Sequence, residues 1–280
     1  MLHADRTPYS PAISGVVHER SLQHYPSFHS LREEFLKDYR YYRLSAKPVK
    51  GEISADRPLL LAIDAGSTMA KVVVTDTKGV HLYKDVFTNA GDTLETVRTV
   101  FSSVYEQGNS QISVQAVGLT GSARYQIRDA LIATYPQLAG RILVLVENYA
   151  HARGSVEAAQ EHLQRLFHAG ITKVDRKRFV VVDVGGEDTK ISTVDFDNAE
   201  LFDNAMNSKC SAGTGSLLDA LTALFGVNDI RTAAEMAMRA PKAYALNATC
   251  AVFLLDDARF LQAAGHGKPE ILASSIWSVV

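Results

Sequence analysis

Cysteine, tryptophan and net charge are what this 280-residue sequence has least of: two cysteines, one tryptophan and a formal net charge of -2. Two cysteines make no disulfide framework, and a single disulfide between them is disfavoured in a reducing compartment. Near-neutrality, with an isoelectric point near 6.5, removes the basic footprint that nucleic acid or an anionic membrane would call for over the whole surface. No apolar run approaches the roughly 20 residues needed to cross a bilayer, and the N-terminus has no apolar signal-peptide core, so a cytoplasmic protein with no membrane partner is expected. What is present, 46% hydrophobic and 21% charged residues, is the composition of an ordinary globular protein of one or two domains with room for a large core.

The most informative stretch is Leu59 to Asp76, LLLAIDAGSTMAKVVVTD, an apolar run that ends in Asp-Ala-Gly-Ser-Thr and is followed at once by a second valine-rich run. It reads as a β-hairpin whose tight turn can hold a phosphate. Ala65, Gly66, Ser67 and Thr68 present backbone N–H groups and two hydroxyls, Asp64 at the strand end can reach a magnesium ion or its water shell, and Lys71 adds a positive charge. A plain hairpin explains such a turn equally well. A second copy shifts the balance: in FVVVDVGGEDTKISTV, Phe179 to Val194, a strand-like run leads to Asp183, then Gly185 and Gly186, then Asp188, Thr189 and Lys190 opening another strand. Two Asp-x-Gly hairpins suggest two related lobes closing on one nucleotide. The pair resembles the actin, Hsp70 and sugar-kinase superfamily, in which these turns are the phosphate motifs.

Along the chain, residues 1–57 read as an extension, with scattered histidines, a helical pattern from His29 to Tyr42, and a Pro- and Gly-bearing linker from Lys47 to Pro58. The first lobe is expected over 58–150. It has a third strand at Val80 to Lys84, a helix from Asp92 to Tyr105, a strand Val114 to Thr120 running into Gly121-Ser122 and a helix to Leu131, then a strand Arg141 to Val146. The second lobe is expected over 151–280. Glu147 opens the long helix that leads into it, through Phe167. Glu147 suits a general base at the lobe crossing, and equally suits a first-turn carboxylate facing the helix dipole. For His151 and Arg153, approach to the nucleotide and a surface position both remain open.

The two cysteines lie in NSKCSAGTGSLLD and NATCAVFLLDD, each ahead of a helical pattern. Gly213, Thr214 and Gly215 precede the first of these helices and offer N–H groups and a positive dipole end to phosphate. With the two hairpins upstream in the same order, these motifs resemble the BadF/BadG/BcrA/BcrD-type ATPases, activators of 2-hydroxyacyl-CoA dehydratases and benzoyl-CoA reductases. The resemblance runs from about Leu59 to the end. It implies an α/β, two-lobed actin-like ATPase (ribonuclease H-like) fold, ATP and magnesium as ligands, and Cys210 and Cys250 as metal ligands. Four cysteines from two chains then hold one [4Fe-4S] cluster, so a homodimer is implied. The chemistry agrees, because a cubane takes four thiolates and one chain supplies two. Two buried free cysteines are the alternative.

The mechanism implied by the resemblance is ATP-driven electron transfer. A ferredoxin or flavodoxin loads the cluster, hydrolysis changes the lobe and subunit arrangement, and a low-potential electron passes to the dehydratase or reductase partner. Asp64 and Asp183 position magnesium and water, and the turn amides stabilise the transferring phosphoryl group. One departure stands out: the superfamily's Gly-Gly turn that grips adenosine, after the second cysteine helix, is missing. The chain ends at Val280 within the helical pattern Ile271, Leu272, Ile276 and Trp277, so the second lobe is expected to be incomplete and the chain to be the front piece of a longer protein. Two other functions share the hairpins, a phosphotransferase of the sugar- or acetate-kinase type and a nucleotide-sensing module with little turnover.

Overall fold

The computed structural model describes residues 24–38, 48–89, 91–109, 111–207, 214–247 and 250–278. In chain order these form β1 (His24–Tyr25), α1 (Phe28–Asp38), β2 (Pro58–Ala65), β3 (Met69–Asp76), β4 (His81–Thr88), α2 (Thr93–Gln107), β5 (Ser113–Thr120) and α3 (Arg124–Thr134). A 3-10 turn (Pro136–Arg141) leads to β6 (Ile142–Val144), α4 (Glu147–His168), β7 (Arg178–Val184), β8 (Thr189–Asp195) and β9 (Leu201–Met206). The remainder is α5 (Gly215–Leu224), α6 (Ile230–Met238), β10 (Ala243–Tyr244), α7 (Ala251–Ala263) and α8 (Lys268–Trp277). Two compact units result. One comprises the described residues of 42–181 and 191–204, the other those of 1–41, 182–190 and 205–280.

The 42–181 unit is built on a five-stranded sheet in the order β4-β3-β2-β5-β6. The β2–β3 and β3–β4 pairs are antiparallel, whereas β5 runs parallel to β2 and β6 parallel to β5. Alternation decides which side chains go inside. Leu59, Leu61, Ile63 and Ala65 of β2 and Ala70, Val72 and Val74 of β3 face a core closed by Val97, Val100 and Val104 of α2 and Ile127 and Leu131 of α3. Each of the larger side chains, fully buried, contributes about 1.5–3 kcal/mol. The opposite face of the sheet carries Asp64 of β2, Lys71 of β3 and Thr120 of β5, so the pleat that makes the core also presents the polar groups. Ile53, 6% exposed, joins this core, so the ordered packing starts inside the stretch expected to be linker. One β-branched residue among prolines and glycines leaves no period to read.

The other unit is mainly helical. Leu217 and Leu221 of α5, Leu254 and Leu261 of α7, and Ile271 and Leu272 of α8 form its core, with Ala233, Ala237, Ala258 and Ala273 letting the helices approach closely. The extension does not stand apart from it, as the sequence reading expected. β1 pairs antiparallel with β10, Tyr25 and Phe28 stack on Trp277 at 4.9 and 5.4 Å, and the indole Nε1 donates to the Pro26 carbonyl at 3.2 Å. Of the helix expected from His29 to Tyr42, the structure describes Phe28–Asp38.

The remaining sheet is three-stranded, in the order β7-β8-β9. Like β2–β3, the β7–β8 pair is a tight hairpin, closed by the Gly185 N–H donating to the Asp188 carbonyl. Unlike β2, β7 has a strand neighbour on one side only among the described residues. The sequence reading assigned no element to β9 or α6. Asp203 and Asn204 dilute the first, and α6 packs through alanines instead of a run of large apolar residues.

Candidate active site

At the end of β2 the chain turns through Gly66, Ser67 and Thr68 into β3. The Gly66 N–H donates to the Met69 carbonyl at 3.0 Å and closes the turn. The amides of Ser67 and Thr68 carry no hydrogen bond among the described residues, so they remain open to an anion. Ala65 itself is fully buried. The turn is braced by Asn89, which the sequence reading missed. Its backbone N–H donates to the Thr68 carbonyl at 2.8 Å, and its side-chain amide donates to the Gly66 carbonyl and to Thr93 Oγ1.

A second brace comes from the end of β5. Gly121 adopts φ +88°, and a Cβ there would lie 2.4 Å from the Ala65 carbonyl oxygen. The contact lets the Ala123 N–H donate to that oxygen at 3.2 Å. Only glycine permits both the left-handed backbone and the close approach. Gly-Ser-Thr and Gly-Leu-Thr-Gly-Ser, far apart in sequence, are thereby one packed structure.

Asp64 and Lys71 are directly opposite in the β2–β3 register, and Lys71 Nζ donates to Asp64 Oδ2 at 3.0 Å. His151 of α4 brings Nε2 to 3.8 Å from the same oxygen. Burial pushes the Asp64 pKa up, but the contacts with His151 and Lys71 outweigh it and hold the carboxyl below its ordinary value. Asp64 and Lys71 also line a cavity of about 310 Å³, together with Val73, Gly118, Thr120 and Leu145. Glu147, half-buried, opens α4 one helical turn before His151, so both side chains share a helix face.

In the other unit, Gly185 and Gly186 form the second turn after Asp183. Thr189 is clamped by Asn207: the Thr189 N–H donates to Asn207 Oδ1 at 2.9 Å, and the Asn207 N–H donates back to the Thr189 carbonyl at 3.0 Å. Lys190, 5% exposed, donates to Asp188 Oδ1 at 2.6 Å. The α5 N-terminus is attached to this turn, with the N–H groups of Gly215 and Ser216 donating to the carbonyls of Gly185 and Gly186 at 2.8 and 3.0 Å. That corrects one expectation: the Gly215 amide is not open to phosphate, because the turn carbonyls already take it. Thr214, the α5 N-cap residue, is fully buried.

Cys250 is a half-buried free thiol at the N-cap of α7, and upstream the Asn247 N–H donates to Asp257 Oδ2 at 2.6 Å. Cys210 and Gly213 lie outside the described residues. No helix among the described residues is long and apolar enough to cross a membrane.

The sequence profile of the BadF/BadG/BcrA/BcrD ATPase family matches residues 61–280. The 2-hydroxyisocaproyl-CoA dehydratase activator of Clostridioides difficile is 26% identical over 193 residues, which cover 69% of this chain and 62% of that protein. The (R)-2-hydroxyglutaryl-CoA dehydratase activating ATPase of Acidaminococcus fermentans is 33% identical over 93 residues, 33% of this chain and 35% of that one. The chain thus spans less than two thirds of the length of either relative. Among solved structures, the Clostridium difficile activator with bound ADPNP matches with a TM-score of 0.60 at 22% identity, over 79% of this chain and 72% of that chain. The Acidaminococcus fermentans dehydratase component A matches at 0.58 and 24% identity, over 79% and 74%. The fold is therefore that of these activators, the expected actin-like α/β ATPase fold.

Proposed function

We propose a function that starts from one premise: this chain belongs to the BadF/BadG/BcrA/BcrD ATPase family. It is the nucleotide-hydrolysing part of an activator, which uses ATP to send a low-potential electron to a 2-hydroxyacyl-CoA dehydratase or a related reductase. The observation that carries the reading is the β2–β3 turn, where two open amides stand beside a carboxylate held between Lys71 and His151.

The residues present fit a magnesium nucleotide. Ser67 and Thr68 offer two amides and two hydroxyls to phosphate oxygens, and Gly186 offers an amide that is open among the described residues. Asp64 and Asp183 would hold the water shell of magnesium, Lys71 would offset phosphate charge, and Glu147 would orient the attacking water or accept its proton. Asp188 and Thr189 shape the second turn, Gly215 and Ser216 anchor α5 on it through their amides, and Thr214 stands at the N-cap of that helix.

Cys250 suits a cluster ligand, because the α7 N-terminus favours negative charge at its position. With Cys210 it gives two thiolates per chain, and two chains of a homodimer complete the four that a [4Fe-4S] cluster requires. Such a cluster supplies single electrons at low potential. A ferredoxin or flavodoxin in the cytoplasm is the donor this chemistry calls for.

The test is ATP hydrolysis and iron content of anaerobically purified protein, read beside its mass in solution. Magnesium-dependent hydrolysis with about two irons per chain in a dimer supports the activator. Phosphate transfer to a sugar or carboxylate without iron would replace it by the phosphotransferase reading, and nucleotide binding without turnover or iron by the sensing module. Cys250→Ser should abolish iron retention and leave nucleotide binding intact.

A further inference from the structure

We propose that His151 is the residue that aims Asp64, a positioning role that rests on the nucleotide reading of the β2–β3 turn. Both donors around this carboxylate approach one oxygen. Lys71 Nζ lies 3.0 Å and His151 Nε2 3.8 Å from Oδ2. Held at Oδ2 from β3 on one side and α4 on the other, the carboxylate keeps one rotamer and presents Oδ1 to the magnesium water shell.

The two donors are not equivalent. The Lys71 side chain is 51% exposed and ends a flexible four-carbon stem, so by itself it restrains Asp64 weakly. His151 is 27% exposed, has two side-chain torsions, and stands on a helix whose start is fixed. The Leu145 N–H donates to the Leu119 carbonyl at 2.9 Å, and Thr120 Oγ1 donates to the Leu145 carbonyl at 3.1 Å. These bonds join Leu145, two residues before α4, to the end of β5. Farther along α4, Arg153 donates to the Asn198 carbonyl at 3.1 Å. Because β5 pairs with β2 in a register that sets Thr120 beside Asp64, the frame holding His151 is the frame holding Asp64.

A 3.8 Å separation is longer than a hydrogen bond in the ligand-free chain, and such contacts tighten when substrate arrives. In the working site His151 therefore fixes geometry while Lys71 mainly supplies charge. The consequence is a split in kinetics: loss of His151 leaves the phosphate-binding amides in place and misplaces the magnesium-facing oxygen.

The experiment compares the full chain with His151→Ala and His151→Gln, the amide of glutamine being able to donate to Oδ2. Three-bond carbon–carbon and carbon–nitrogen couplings of labelled Asp64 report its χ1 without nucleotide. One rotamer is expected in the parent and in His151→Gln, and rotamer averaging in His151→Ala. With magnesium ATP, His151→Ala should lower kcat about tenfold with little change in KM, and His151→Gln should return to within about threefold of the parent. A single unaveraged Asp64 rotamer in His151→Ala overturns the proposal. Averaging in a chain that neither binds nor hydrolyses ATP keeps the positioning role and overturns the nucleotide reading instead.

Discussion

Replacing Gly121 by alanine tests the packing that builds the first turn. The added Cβ would meet three backbone atoms of one residue, the Ala65 oxygen at 2.4 Å, its carbonyl carbon at 2.5 Å and its nitrogen at 2.7 Å. None is the end of a flexible side chain, so β2 and the β5–α3 turn must separate. The left-handed backbone at φ +88° costs about 1–2 kcal/mol for a residue with a Cβ. Forcing the backbones apart costs about 1–3 kcal/mol. Weakening the Ala123-to-Ala65 hydrogen bond costs about 1 kcal/mol more. The expected loss is about 3–6 kcal/mol, a large part of the roughly 5–15 kcal/mol that stabilises a domain. Urea unfolding followed by far-ultraviolet circular dichroism measures it. Gly118→Ala is the comparator, because a Cβ there meets nothing within 4 Å, and it should stay within about 1 kcal/mol of the parent. Equal effects of the two substitutions would refute the argument from close approach, as would a Gly121→Ala chain within about 1 kcal/mol of the parent.

Other perturbations separate other contacts. Trp277 is the sole tryptophan and stacks on Phe28, so Phe28→Ala should red-shift the emission and open residues 24–38 to protease; unchanged emission would mean that the extension does not dock. Asp229 caps α6 and accepts the Thr232 N–H, which holds its pKa below the ordinary 3.8. A carboxyl depressed in the folded state adds stability that is fully present above its ordinary pKa and is lost as pH falls through the folded value. The gap between parent and Asp229→Asn should therefore be constant near neutrality and shrink below about pH 4. A gap that persists at pH 3 would count against the cap as the source.

The hairpins were legible because alternation and turn residues are local signals: the run LLLAIDAGST alone fixes which side chains of β2 face the core and that Asp64 does not. The Asp64–Lys71 pair follows from the same register. His151 carried no such signal, since its partner lies on a strand far upstream and its own helix shows only that it shares a face with Glu147. Gly121 was visible as a turn glycine, but its contact with Ala65 depends on β2 and β5 lying side by side, a parallel pairing that nothing local announces. The docking of Tyr25 and Phe28 on Trp277 joins opposite ends of the chain, so those aromatics read as an extension and a terminal helix. Thr214 and Gly215 were placed correctly at a helix start, yet the local pattern could not tell a phosphate from the carbonyls of Gly185 and Gly186 as the acceptor of that helix's amides.

The two turns use similar residues with opposite distributions of burial, and this predicts opposite responses to charge removal. At the first, the lysine is the exposed partner: Lys71 is 51% exposed and Asp64 20%. At the second, the Lys190 side chain is 7% exposed and its partner Asp188 38%. Removing a partially solvated carboxylate from a buried ammonium costs far more than the reverse, because water takes over the role of the lost partner only where it has access. Asp188→Ala leaves Lys190 buried without this carboxylate and should cost about 3 kcal/mol. Lys190→Met fills the same space, leaves a carboxylate that water reaches, and should cost about 1 kcal/mol. Lys71→Met, at the exposed end of its pair, should cost no more than about 1 kcal/mol of stability while weakening nucleotide binding. Urea midpoints of the three variants decide the order. If Lys190→Met proves as costly as Asp188→Ala, the ammonium is held by its packing and not by the turn carboxylate, and the second turn does not depend on this pair for its shape.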